Sequence, residues 1–523
     1  MPRPADPAID QALQNAAKLT KRGDLDAAKR LYDQILAREP GNKKARKALK
    51  ALQREGKHPL SVADLERIGK MMEARQFKPA LADLRRLCRA HPEQQALHNL
   101  RGVALVELRE PVAALEAFEQ AISLKADFIE AINNLGATLN RLRRFPEAID
   151  CYKRLIERGE ADAEVYLNLG LAQRDAGQLD EAQKAFAEAL RLNPMTAGAH
   201  AGLGRLLNQR GEHESAQNAF NAALRIEPRH RDARLGLAQT LIFLRRFEAA
   251  ARAYDEVLAD HPKDPDALRG AANCMNTLQQ KDAARELYRR LLAVEPDNQV
   301  ARHMLAAYSG QAIKRAHPDY AMSVFESYAD TFEEHLTQTL GYSLPMEIPA
   351  LLESLDGEDA WYPRVVDLGC GTGLVGLQIR SYCDHLSGVD VSPGMLEKAA
   401  EKAVYDELIA QDLETMMRSA RENFDLIVCA DVLLYVGELG ALFDSIARRA
   451  NPGAHMILST ESYEGTGFTL RESGRFAHSQ PYVESCAQAA GFALTRRTDI
   501  QLRKELGNWI PGDLFVFTRS DAA

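Results

Sequence analysis

A chain of 523 residues exceeds the roughly 250–300 residues at which one hydrophobic core stops growing, so two or more domains are expected. With 46% hydrophobic and 27% charged residues it is not a disordered chain; no apolar run reaches the roughly 18 residues of a spanning helix, and the opening MPRPADPAIDQAL lacks the apolar stretch of a signal peptide. Those observations predict a cytoplasmic protein with no membrane insertion, and the net charge of −8 adds an asymmetry: residues 1–309 carry 49 Lys+Arg against 42 Asp+Glu, residues 310–523 only 17 against 32, which disfavours direct nucleic-acid binding by the second half.

Taken from the N-terminus, residues 1–60 hold one helical repeat, 9–42, marked by Gly23, Ala28, Tyr32 and Pro40, and a Lys-rich insert, 43–59. The insert reads either as a rigid bridging helix or as a joint. From 61 to 298 a 34-residue period runs unbroken. Small residues recur at Gly102, Gly136, Gly170, Gly204, Ala238 and Ala272, and again at Ala80, Ala114, Ala148, Ala182, Ala216, Ala250 and Ala284. A large residue follows four later at Leu84, Phe118, Tyr152, Phe186, Phe220, Tyr254 and Tyr288, and prolines close several units. Each unit is therefore a helix–turn–helix in which small residues let two helices approach and a large one fills the gap. The seven cysteines, Cys88, Cys151, Cys274, Cys370, Cys383, Cys429 and Cys486, form no CxxC pair and read as reduced small residues, with no metal site.

This spacing resembles the tetratricopeptide repeat family, which implies a solenoid over 61–309 with an extended concave surface lined by the first helix of each unit. On that surface the resemblance places Asn134 and Asn168 at one equivalent position and Asn140, Asn208 and Asn276 at another. A side-chain amide offers a donor and an acceptor together, so spaced asparagines suit a protein or peptide partner held by its backbone; they suit a solvated helix face as well.

Beyond residue 310 the period ends, and short apolar runs alternate with helical stretches, the pattern of a parallel sheet covered by helices. Residues 310–362 are read as lid or linker helices, with Tyr320, Phe325, Tyr328, Phe332 and Tyr342 at helical spacing, serving as a cover over a ligand or as core. Candidate strands follow at 364–368, 386–390, 424–429, 454–460, 492–500 and 513–518 within a domain spanning 363–523. The first runs into Asp367-Leu368-Gly369-Cys370-Gly371-Thr372-Gly373, where glycines permit a tight turn and expose bare backbone to a ligand. Gly371, Gly373 and Gly376 also satisfy G-x-G-x-x-G, so a nicotinamide dinucleotide enters the comparison. Against it, a pyrophosphate would gain nothing from Asp367 just before the glycines, and a second acidic loop, Gln411-Asp412-Leu413, follows an expected third strand just before it.

In this order, D-x-G-x-G-x-G, Asp390, Asp412-Leu413, FDLI with Leu434-Tyr435-Val436, and Asn451-Pro452-Gly453 resemble class I S-adenosylmethionine-dependent methyltransferases over residues 320–518. Together with the repeats, the chain is similar to a group of bacterial repeat-containing methyltransferases. The resemblance implies an all-α repeat solenoid followed by an α/β, Rossmann-like, mostly parallel seven-stranded sheet. It implies S-adenosyl-L-methionine as cofactor, with Asp367, Gly369, Gly371 and Gly373 around the methionine part, Asp390 at the ribose, Met395, Asp412 and Leu413 at the adenine, and Asp431 bordering the methyl. Tyr435 is a candidate at the methyl, and His478, in the insert RESGRFAHSQPY, is the candidate base. The function expected is methyl transfer to a protein or peptide acceptor recruited by the repeats. The alternatives are a small-molecule methyltransferase whose repeats only dock a partner, and an adaptor with an inactive domain.

Overall fold

The structure, a computed structural model, describes residues 7–22, 25–55, 60–311, 313–326, 333, 341–505 and 507–520. By backbone packing the chain divides into Met1–Arg246 and Phe247–Ala523.

The first unit is helical. It opens with α1 (Pro7–Arg22), α2 (Leu25–Arg38) and α3 (Lys43–Glu55), so the Lys-rich insert is helical as far as Glu55; Gly23 of the first repeat lies outside the described residues. Helix pairs of the 34-residue period follow: α4 (Val62–Glu73) and α5 (Phe77–Ala90), α6 (Gln95–Glu107) and α7 (Pro111–Leu124), α8 (Ile129–Arg141) and α9 (Phe145–Glu157), α10 (Ala163–Asp175) and α11 (Leu179–Leu192), α12 (Ala197–Gln209) and α13 (His213–Ile226), then α14 (Arg231–Phe243). The periodic residues do what their sizes predict. Ala80, Ala114, Ala148, Ala182 and Ala216 are fully buried. The Phe186 ring fills the space a Cβ would need at Gly170 on the preceding helix and at Gly202 on the following one, and Phe220 does the same at Gly204 and Gly236. One ring thus keys three helices, an arrangement that any side chain on those glycines would disrupt.

The second unit begins with four more helices of the array, α15 (Phe247–Asp260), α16 (Pro265–Thr277), α17 (Lys281–Val294) and α18 (Gln299–Ser309), followed by α19 (Pro318–Glu326). Tyr254 again fills the site of a missing Cβ, at Gly270. The sheet follows: β1 (Tyr362–Leu368), β2 (Cys383–Asp390), β3 (Glu407–Ala410), β4 (Phe424–Cys429), β5 (Ala450–Ser462), β6 (Phe468–Leu470), β7 (Phe476–His478), β8 (Phe492–Glu505) and β9 (Asn508–Arg519). Strands β3-β2-β1-β4-β5 are parallel neighbours, and β9 joins β5 antiparallel with β8 outside it. That run of seven matches the expected sheet. Two strands exceed it: the β6/β7 hairpin pairs with the tip of β5 at Glu461 and Ser462. Central strands are apolar on both faces, Val365, Val366, Leu426, Ile427 and Val428 being fully buried, as a sheet covered by helices requires. Strand order reverses at β1, flanked by β2 on one side and β4 on the other, and a crevice opens there at the carboxyl ends. Among the described residues no helix is long and apolar enough to cross a membrane.

Candidate functional site

A cavity of about 510 Å³ lies at that strand-order reversal. Its near wall is the turn after β1. The amides of Gly369 and Cys370 both donate to the Val389 carbonyl, at 2.8 and 3.0 Å, tying the turn to β2. Gly369, Gly371 and Gly373 have φ of 78°, 53° and 89°. A Cβ at Gly371 would meet nothing within 4 Å, so this residue presents bare backbone to the cavity, whereas one at Gly376 would strike the Tyr405 hydroxyl. Gly376 is thus a packing glycine. Gly369 and Gly371 line the cavity, and Gly373 and Asp367 do not.

Asp367 is 1% exposed and accepts a 2.7 Å hydrogen bond from the Tyr405 hydroxyl. Burial pushes its carboxyl up to about 7; the Tyr405 hydrogen bond opposes the rise and the Asp390 charge adds to it. Asp390, closing β2, accepts from the Ser392 amide at 2.9 Å through Oδ1 and from the Gly371 amide at 3.0 Å through Oδ2. Burial raises its carboxyl as well, against those backbone donors. Met395, held in the first turn of the helix Pro393–Glu401 by the Ser392 cap, is 1% exposed and lines the cavity. Asp412 and Leu413 line it too. One Asp412 oxygen caps the helix Leu413–Ser419 at Thr415, 3.1 Å away, and the other is held by Arg315.

The opposite wall carries charge pairs and rings. Asp431 follows β4 with φ of 53°, and Arg503 of β8 donates to it at 2.6 Å while its other nitrogen holds Glu461. Arg475 pairs with Glu505 at 3.3 Å. Tyr435 borders the cavity, its ring 6.3 Å from that of Tyr320, and burial raises its hydroxyl pKa. Tyr320 and Tyr342, from the aromatic segment, are buried cavity residues; Tyr328, Phe332 and the Phe325 side chain lie outside the described residues.

His478 departs from expectation. Rather than sitting on a loop at the cavity, it is the last residue of β7, fully buried, with Nε2 within 2.8 Å of the Val436 carbonyl and 3.2 Å of that of Gly437. Burial lowers its pKa to about 4, and it does not line the cavity. The chemistry of a general base fits neither its place nor its partners.

Sequence reasoning missed two contributors. Arg503 lies in the charged run Arg503-Lys504-Glu505, which reads as a solvated edge, yet it is 2% exposed. The repeat helices also reach the site: Asn273, Asn276 and Thr277 of α16, Tyr288 of α17, and Met304 of α18 line the cavity. The Tyr288 hydroxyl donates to Asn273 Oδ1 at 2.9 Å and the Tyr308 hydroxyl to Asn276 Oδ1 at 2.6 Å. Of the other asparagines singled out, Asn134 donates to Asn99 and Asn168 to Asn133, each at 3.0 Å, forming a ladder between successive units. Asn208 donates to Thr240 at 2.9 Å, and Asn140 Oδ1 is buried without a partner among the described residues. Nor do the described residues contain a group of three or more His, Cys, Asp or Glu able to hold a metal ion.

Residues 366–458 match the methyltransferase domain family, and tetratricopeptide repeat families match 72–127, 167–229 and 235–300, together with 127–195 and 207–252. The chain carries tetratricopeptide repeats and a methyltransferase domain. A ubiquinone biosynthesis O-methyltransferase of Xylella fastidiosa is 27% identical over 115 residues, 21% of this chain and 47% of the relative. The biotin biosynthesis bifunctional protein BioHC of Saccharophagus degradans is 28% identical over 152 residues, 28% of this chain and 27% of that protein. The chain spans less than half the length of these curated relatives. Among solved structures, magnesium protoporphyrin IX methyltransferase from Synechocystis with bound SAM aligns at 20% identity and a TM-score of 0.27, over 34% of this chain and 78% of that one. A thermophilic TPR protein of Thermus thermophilus aligns at 26% identity and a TM-score of 0.32, over 35% and 99%.

Proposed function

We propose that the protein is an S-adenosylmethionine-dependent methyltransferase whose acceptor is a protein or peptide presented by the repeats. The observation that carries this reading is the convergence of the bare Gly371 backbone, Asp390, Asp412-Leu413 and Asp431 on one cavity at the strand-order reversal. The residues fit that cofactor. Asp367 would meet its cationic amino group through the glycine turn, Gly369, Gly371 and Gly373 would hold the methionine part, Asp390 would accept from the ribose, and Met395, Asp412 and Leu413 would hold the adenine. A pyrophosphate fits poorly among so many carboxylates, and the Gly371 amide that would serve it is already bound to Asp390.

When bound, S-adenosylmethionine supplies a sulfonium with an electrophilic methyl and its own leaving group. The chain's task is then placement of an acceptor atom about 3 Å away, in line. Asp431 is held by Arg503 and Glu505 by Arg475, so the groups on the acceptor side orient rather than deprotonate, while Tyr320, Tyr342 and Tyr435 exclude water. In functional terms the division is a presenting array through residue 309, a cover over 310–362 and a catalytic domain over 363–523, with α16–α18 also walling the acceptor side.

The test is retained S-adenosylhomocysteine in the purified protein by native mass spectrometry, followed by transfer of labelled methyl to a cell lysate. Label in protease-sensitive material is the expected result. Label in small molecules alone favours a metabolite acceptor with docking repeats, and no binding or transfer favours an inactive adaptor.

A further inference from the structure

A second cavity, of about 960 Å³, lies between α17, α18 and the segment leading to α19, and shares Arg315, Ala316 and Pro318 with the reaction cavity as a common wall. Four arginines line it: Arg285 and Arg289 on α17, Arg302 on α18, and Arg315. No Asp or Glu does so among the described residues, and Leu292, Leu305 and Ile313 give it an apolar floor.

Three of these arginines are partnered weakly, whereas Arg315 is committed to Asp412 and, at 3.0 Å, to Glu414. Arg285 pairs with Asp282 at 3.2 Å, Arg289 with Glu286 at 3.5 Å and Arg302 with Asp297 at 3.1 Å, and those carboxylates are 97%, 62% and 98% exposed. Pairs so exposed contribute little and exchange readily for a better-placed anion. His303 adds no charge, since burial lowers its pKa and its Nε2 is within 2.7 Å of the Gly474 carbonyl.

We propose that this cavity docks an acidic peptide segment of the methyl-accepting protein, holding the acceptor beside the site where it reacts. The proposal rests on the methyltransferase reading above and names what selects the acceptor. Arg285 and Arg289 stand one turn apart on a single helix face, about 5–6 Å between Cβ atoms, with Arg302 on the neighbouring helix. The cationic side chains are thus rooted at separate points, two on α17 and one on α18. Forks so rooted suit carboxylates spaced along a chain, each taken bidentately, better than one phosphate, which needs donors converging on a point. The apolar floor accommodates side chains between the acids. A segment lying there runs to the shared wall, which raises the local concentration of its neighbouring residues at the reaction cavity.

The full-length protein should bind a fluorescein-labelled peptide of alternating Glu and Leu in a polarisation assay and leave its Gln-for-Glu counterpart unbound. Arg285→Glu combined with Arg289→Glu should weaken the acidic peptide at least about 10-fold, and Arg302→Glu, on a separate helix, should weaken it independently. S-adenosylmethionine affinity by calorimetry and the thermal midpoint should not move. Failure of the wild type to bind, binding unchanged in both variants, or displacement by inorganic phosphate at equal anion concentration would each overturn the proposal. Peptide binding without cofactor binding would instead defeat the methyltransferase reading and leave the docking site standing.

Discussion

Replacing Asp390 by Ala removes three things at once. Its Oδ2 holds the Gly371 amide at 3.0 Å and its Oδ1 the Ser392 amide at 2.9 Å, in a position only 7% exposed, and the same carboxylate faces the cavity where the ribose is placed. Each buried amide left without an acceptor costs ~1–3 kcal/mol, so the two together should lower folding stability by ~2–6 kcal/mol. Loss of a charge-assisted bond to the cofactor adds ~1.5–3 kcal/mol in binding, on the order of 10–100-fold in Kd. The Gly371 turn also loses its tether, so the cofactor loss should lie at the upper end. Asp390→Asn separates the parts: its single oxygen satisfies one amide while its NH2 opposes the other, giving an intermediate stability and a comparable loss of ribose acceptance. Calorimetric titration with S-adenosylmethionine and urea midpoints on both variants make the comparison. Cofactor affinity within twofold of wild type in Asp390→Ala would refute the placement of the ribose, and an unchanged urea midpoint would refute the accounting of the turn.

Outcomes are expected for five further substitutions. Gly376→Ala drives a methyl into the Tyr405 hydroxyl that holds Asp367, and should cost ~1–3 kcal/mol of stability with weaker cofactor binding; Gly371→Ala, whose methyl meets open cavity, should spare packing but weaken cofactor binding. Phe220→Ala empties the space between Gly204 and Gly236 and should cost ~3–5 kcal/mol, read from the unfolding of the helical array by circular dichroism. His478, with its pKa lowered to about 4, takes up its proton in the unfolded chain first, so its contribution to stability is lost as pH falls from about 6.5 to about 4; His478→Gln should flatten that slope and leave the neutral-pH rate profile without a missing limb. Asp367, raised to about 7, keeps its proton in the folded state where the unfolded chain has released it, so stability is lost as pH rises from about 4 to about 7. Asp367→Asn should remove that loss above pH 7 while weakening the cofactor. Because these two slopes oppose, each is read from the variant-minus-wild-type difference in denaturant midpoint.

Much of the architecture was legible because it is periodic. A 34-residue spacing of Ala and aromatic residues has few physical solutions, and each seat in it is occupied as size predicts. The central strands were legible for a similar reason, being short apolar runs ended by glycine or aspartate. What escaped depends on partners distant in sequence. The three-residue β6 and β7 are too short to show alternation and exist because the tip of β5 offers them an edge. The stretch Phe476-Ala477-His478 carried a clue, since an aromatic and an alanine beside a histidine suit an interior strand better than a catalytic loop. Arg503 carried none: its neighbours Lys504 and Glu505 look solvated, and only the pairing of β8 with β9 brings it against Asp431 and Glu461. Likewise nothing local to Asn273 or Tyr288 distinguishes a helix facing a reaction cavity from one facing solvent.

The Arg503 bridge bears on how the site comes into being during synthesis. Asp431 and Glu461 emerge from the ribosome well before the arginine that neutralises them, and β8 reaches the sheet only by way of β9, which is made after it. Until β9 slots in beside β5, closing the crevice would bury two carboxylates with no cation between them, a state of high electrostatic cost. The nascent domain is thereby biased to stay open until β9 arrives, and a molecule lacking β9 would be left with a repeat array and no competent pocket beside it.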